Sequence, residues 1–218
     1  MRSKKKSKNP IILVFFLVII LVLVFWIYNN NNNSTSKNSN WNLILINSEN
    51  SVPDNYQFKQ LTIKNGHIID ERIYPDLQKM FDDARAEGVD PIVTSAYRTI
   101  EEQQEIYDSR IEKHIEAGSS TQEAIDKTRD YVALPHHSEH HTGLAVDINS
   151  ESGNNQIVYD WLAKNSYRYG FILRYLESKE NLTGINFEPW HFRYVGIDEA
   201  TYITEKSICF EEYIDEIE

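Results

Sequence analysis

Residues 136–148 read His136-His137-Ser138-Glu139-His140-His141-Thr142-Gly143-Leu144-Ala145-Val146-Asp147-Ile148. A histidine-rich stretch runs directly into an apolar one that carries a single carboxylate. Leu144, Val146 and Ile148 alternate with Ala145 and Asp147, which predicts a strand with Ala145 and Asp147 on one face. Imidazole nitrogen and carboxylate oxygen are ordinary zinc ligands, and three of them leave a position open for water. The segment is therefore a candidate metal site, although spacing does not decide which of its histidines ligates. His67 and His114 stand alone and read as surface or satisfied core residues.

Working outward, Leu77, Met80, Phe81 and Ala84 recur at helical spacing, with Gly88 at the expected C-terminal cap. Pro91–Tyr97 reads as a buried strand that delivers Arg98 to its end. Thr99-Ile100-Glu101-Glu102 is a capping box, and the helix it opens carries Ile100, Gln103, Ile106, Tyr107, Ile111 and Ile115 along one side. Ser120-Thr121-Gln122-Glu123 starts another helix towards Val132, stopped by Pro135. Downstream, a helix near 156–165, strands at 171–175 and 190–195 and a final helix over 198–206 are predicted. Leu43–Ile46 is read as a short strand that begins the folded part. Mixed elements without regular βαβ alternation give an α+β class, helices packed on a largely antiparallel sheet.

The chain has 218 residues, and its charge is unevenly spread. Residues 1–9 hold five basic side chains and no acidic ones; the remainder holds 17 basic and 33 acidic residues, a net of −16. So acidic a body lacks the clustered Lys and Arg that phosphate contacts need, and nucleic acid is excluded as a partner. Residues 11–28 are an uncharged apolar run that spans about 27 Å as a helix, close to a bilayer core of about 30 Å. A cleaved signal peptide competes for this run, but its length and the lack of a small-x-small site favour an anchor. The expected organisation is a cytoplasmic basic leader (1–9), a transmembrane signal anchor (10–28), an Asn-rich linker (29–40) and an extracytoplasmic domain (41–218). Cys209 cannot form an intramolecular disulfide and reads as a small buried hydrophobe. The acidic tail 211–218 reads as a solvated helix end.

A second constellation, Glu188-Pro189-Trp190-His191, sets a carboxylate three residues before an imidazole. A zinc hydrolase needs a base near the metal that is not itself a ligand. Taken alone, the pair is equally an ordinary surface Glu near a core His.

Two motifs in this order are specific: Ser138-x-His140-x-x-Gly143-x-Ala145-x-Asp147, then Glu188-x-x-His191. With Ser95-Ala96-Tyr97-Arg98-Thr99, Gln103 and Tyr169–Tyr175, they resemble the zinc D-alanyl-D-alanine carboxypeptidases of the VanY and LdcB type. The likeness runs from about residue 56 to 206. It implies a hedgehog/DD-peptidase-like fold, Zn2+ held by His140, Asp147 and His191, and Glu188 as the catalytic base. It makes Arg98 the anchor for the substrate's terminal carboxylate, with Gln103 and Ser138 adding hydrogen bonds to the peptide. Gly143 and Ala145 are expected to leave room near the metal. Leu176–Lys179 departs from the family, where this turn often carries Pro and Gly. The implied partners are peptidoglycan stem peptides and, through the N-terminal helix, the membrane; the enzyme is expected to be monomeric. Two alternatives remain, L,D-carboxypeptidase action on tetrapeptide stems and a non-catalytic domain that binds stem peptides.

Overall fold

The computed structural model describes residues 41–218, of which Asn42–Glu218 form one unit. The basic leader, the apolar run and the Asn-rich linker lie outside the described residues. Among those described, no helix is long and apolar enough to cross a membrane.

The central element is a four-stranded antiparallel sheet in the order β3-β4-β6-β5, formed by Pro91–Ser95 (β3), Ala145–Ser150 (β4), Phe171–Leu173 (β5) and His191–Tyr194 (β6). A separate hairpin of Gln60–Thr62 (β1) and Ile68–Asp70 (β2) leads into helix α1, Tyr74–Ala86. Further helices are Ile100–Glu116 (α2), Thr121–Arg129 (α3), Asn155–Asn165 (α4), Glu180–Thr183 (α5), Ile197–Lys206 (α6) and Phe210–Ile217 (α7). This is the expected α+β arrangement.

Both capping boxes form. The Thr99 side chain accepts from Glu102 N while Glu102 accepts from Thr99 N, and Ser120 and Glu123 repeat the pattern. The first box fixes where β3 ends and α2 begins, and so fixes Arg98 between them. Of the apolar side predicted for α2, only Gln103 and Tyr107 are buried, whereas Ile106 and Ile115 stay exposed. Between Val93 and Ser95 the β3–β4 register shifts, a bulge just before the segment that leads to Arg98.

Three expectations need correction. Leu43–Ile46 is not a strand; the carbonyls of Asn42 and Ile44 accept from the Arg193 guanidinium, which takes the place of a neighbouring strand's N–H groups. The helix ending at Lys206 is not the last, because α7 follows and buries Phe210 and Ile214 with Ile172, Val195, Ala200 and Ile203. Gly143 serves a turn rather than metal access: its φ is +68°, and an added Cβ would lie 2.7 Å from the Phe58 ring and 2.8 Å from Asp70 N. Cys209 is buried as expected, and burial pushes its thiol up to about 11.

Candidate active site

His140 sits in a 3-10 turn, Glu139–Thr142, that Ser138 caps by accepting from His140 N at 3.4 Å. Its Nδ1 donates to the Ala96 carbonyl at 2.7 Å, which leaves Nε2 as the free nitrogen. Asp147 and His191 are register partners across β4 and β6, so the strand pairing itself sets them side by side. His191 Nε2 donates to Glu139 Oε2 at 3.3 Å, leaving Nδ1 free. The donor atoms of His140, Asp147 and His191 all lie within 4.8 Å of one another.

Asp147 Oδ1 lies 3.1 Å from His191 Nδ1 and 3.5 Å from His140 Nε2. It is nevertheless buried without a hydrogen bond. Three lone-pair donors thus converge without satisfying one another, as ligands of one cation do. Two imidazoles and a carboxylate are a normal zinc set, so the residues fit that metal.

The protonation pattern follows from the surroundings. Burial, reinforced by the Arg98 charge, pulls His140 down to about 4. Burial acts the same way on His191, but its contacts to the Asp147 and Glu139 carboxylates outweigh it and lift the group to about 9. Asp147 is held well below the usual carboxylate range because the two histidines overcome its burial.

Glu188 precedes β6, in a turn closed by His191 N donating to the Glu188 carbonyl at 3.3 Å. Its carboxylate is 3.8 Å from His191 Nδ1, beside the three donors but outside their set. Burial pushes it up to about 7, with His191 opposing. Arg98 reaches the same cavity of about 380 Å3. It donates to Gln103 Oε1 at 2.7 Å and lies 3.8 Å from Asp147 Oδ2, yet its Nε is buried without a partner. Gln103 also donates one Nε2–H to the Ala133 carbonyl at 2.7 Å. It therefore orients Arg98, Ser138 Oγ accepts as a cap, and both residues line the cavity. Trp190 is a cavity wall.

A second layer was not legible in sequence. Glu139, fully buried, accepts from Arg174 Nε at 2.8 Å and Arg193 Nη1 at 3.1 Å while holding His191. Arg174 in turn makes a two-pronged pair with Glu211 of α7 at 2.6 and 2.9 Å. The tail read as solvated is thus joined through Arg174 and Glu139 to His191, one of the three convergent donors. The two arginines hold Glu139 well below its ordinary value despite burial. In sequence Glu139 sat on a variable position of its motif, and only the odd placement of arginine within the apolar runs 171–175 and 190–195 hinted at it. Of the remaining histidines, His141 is buried and donates to the Arg98 carbonyl at 2.8 Å, and His137 Nδ1 contacts the Asn47 carbonyl at 2.7 Å.

Residues 66–197 match the family model "VanY: D-alanyl-D-alanine carboxypeptidase". The chain belongs to the VanY family. A D-alanyl-D-alanine carboxypeptidase of Enterococcus faecalis is 48% identical over 178 residues, covering 80% of this chain and 66% of that protein. The chain thus spans about two thirds of that relative's length. The solved structure of VanYB in complex with D-alanine-D-alanine is 47% identical with a TM-score of 0.79, covering 80% of this chain and 98% of the other. A mutant VanY from the VanB-type resistance cassette, a D,D-pentapeptidase solved with Zn(II), is 48% identical with a TM-score of 0.78, covering 80% and 99%. His140, Asp147, Glu188 and His191, the residues singled out by the two sequence motifs, all line one cavity.

Proposed function

We infer that the chain is a zinc carboxypeptidase that removes the C-terminal D-alanine from peptidoglycan stem peptides. The observation that carries this is one cavity holding three convergent donors, a buried carboxyl beside them and a half-buried guanidinium whose buried Nε is unpaired. The terminal carboxylate of the substrate is taken by Arg98, which Gln103 holds in place. Zinc held by His140, Asp147 and His191 supplies Lewis acidity that acidifies water and polarises the scissile carbonyl. Glu188, placed near neutrality by burial, accepts the proton of the attacking water and returns it to the leaving amine. Glu139 fixes the tautomer and angle of His191 throughout. The complete set leaves no support for a non-catalytic binding domain.

The basic leader, the apolar run 11–28 and the Asn-rich 29–40 support a single-pass anchor with the domain on the extracytoplasmic side, in reach of the wall. Glu188→Gln tests the mechanism. It should bind zinc as tightly as the parent and release D-alanine from a pentapeptide stem at least about a hundredfold more slowly. Near-normal turnover, or loss of zinc, would overturn the assignment of Glu188 as a base that is not a ligand.

A further inference from the structure

The cavity continues away from the metal along α2. Gln103, Ile106 and Arg110 all line it, at the i, i+3 and i+7 spacing of one helix face. Exposed Ile106 and Tyr131 supply apolar wall there. Arg110 is exposed, and no carboxylate among the described residues pairs with it. Seven other basic side chains among the described residues also lack a carboxylate pair, but of these eight only Arg110 lines the cavity. Helix α2 carries six acidic residues, Glu101, Glu102, Glu105, Asp108, Glu112 and Glu116. The positions three and four away from Arg110 are nevertheless Ile106, Tyr107, Lys113 and His114, none of them acidic.

We propose that Arg110 is a specificity residue that binds a second carboxylate of the substrate, upstream of the scissile bond. The proposal rests on the function inferred above and deepens it. Arg110 lies seven residues beyond Gln103, about 10.5 Å along the helix axis at 1.5 Å per residue. Gln103 holds Arg98, which takes the terminal carboxylate. An extended peptide covers about 3.3–3.6 Å per residue, so Arg110 faces the position about three residues before the C-terminal one. Two chemical sources fit: the α-carboxylate of an isoglutamyl residue, and the distal carboxylate of a diaminopimelyl residue next to it. Either would meet a planar guanidinium that competes with no internal partner.

The test uses the zinc-loaded full chain and Arg110→Gln on four pentapeptide stems ending D-Ala-D-Ala. The isoglutamyl carboxylate is free or amidated, and the third residue is lysine or diaminopimelate. In the parent, removing the recognised carboxylate should lower kcat/KM about tenfold, through KM. Arg110→Gln should lose the same factor on the carboxylate-bearing peptide and become indifferent to its removal. Whichever replacement matters identifies the source. Equal cleavage of all four peptides by the parent, or a preference that survives in Arg110→Gln, would overturn the subsite while leaving the carboxypeptidase reading intact. No cleavage of any peptide would overturn both.

Discussion

His191 turns its two nitrogens to opposite tasks, one towards Glu139 and one towards Asp147 and the cavity. Lifted to about 9, it is a cation near neutral pH when no metal is present, whereas His140, pulled to about 4, is already neutral. A metal ligand must be neutral imidazole, so protons compete for the site mainly through His191. Zinc affinity should therefore rise by roughly tenfold per pH unit up to about 9, with about one proton released per zinc at pH 7.5. Calorimetry in two buffers of different ionisation enthalpy measures that proton; an affinity flat across this range would contradict the assignment. Arg98 and Gln103 give a second residue-scale expectation. Gln103→Ala frees the guanidinium without touching the metal set, so KM should rise roughly tenfold while zinc content stays unchanged. A fall in zinc content instead would show that Gln103 supports the ligands. The proposed ligands and base could be named from the sequence because they fall on two specific motifs, and the fold brings all four to one cavity. The role of Gln103 was not, because only the fold reveals that Ala133 claims the other end of its amide.

At the level of elements, the local signals worked where they were chemical. Thr99–Glu102 and Ser120–Glu123 announce helix starts that tertiary packing does not override, and the alternation at 144–148 marks β4. They failed where a side chain replaces backbone pairing. The run Leu43–Ile46 has strand composition, but Arg193 claims its neighbouring carbonyls. The acidic tail likewise looked solvated because its partner, Arg174, lies 37 residues away in sequence. Helix α7 is thereby tied through Arg174 and Glu139 to His191, and breaking that tie should be felt in two places. Glu211→Ala leaves Arg174 half-paired in the interior, which should cost about 3 kcal/mol and lower Tm by roughly 6–12 °C. Zinc affinity should fall roughly tenfold as His191 loses its fixed support. Thermal unfolding and chelator competition on the same variant check both. A lower Tm with unchanged zinc affinity would confine α7 to a packing role.

For the whole molecule, the α+β class and the antiparallel sheet followed from the order of elements, since without βαβ alternation a parallel sheet has no crossovers to build it. The register did not follow. That Asp147 pairs with His191 across β4 and β6 rests on a contact 44 residues apart that no local pattern encodes. The uneven charge of the chain, basic at its first residues and acidic beyond, is legible only as a balance over its length. The most direct test takes the full chain, zinc-loaded and then stripped by chelator, with a pentapeptide stem ending D-Ala-D-Ala and a tetrapeptide stem ending in one D-alanine. Released D-alanine is read by mass spectrometry. The expected result is release from the pentapeptide, none from the tetrapeptide, and loss of release on stripping that returns when zinc is added back. Release from the tetrapeptide alone, or release that survives complete removal of zinc, would contradict the assigned D,D-carboxypeptidase centre.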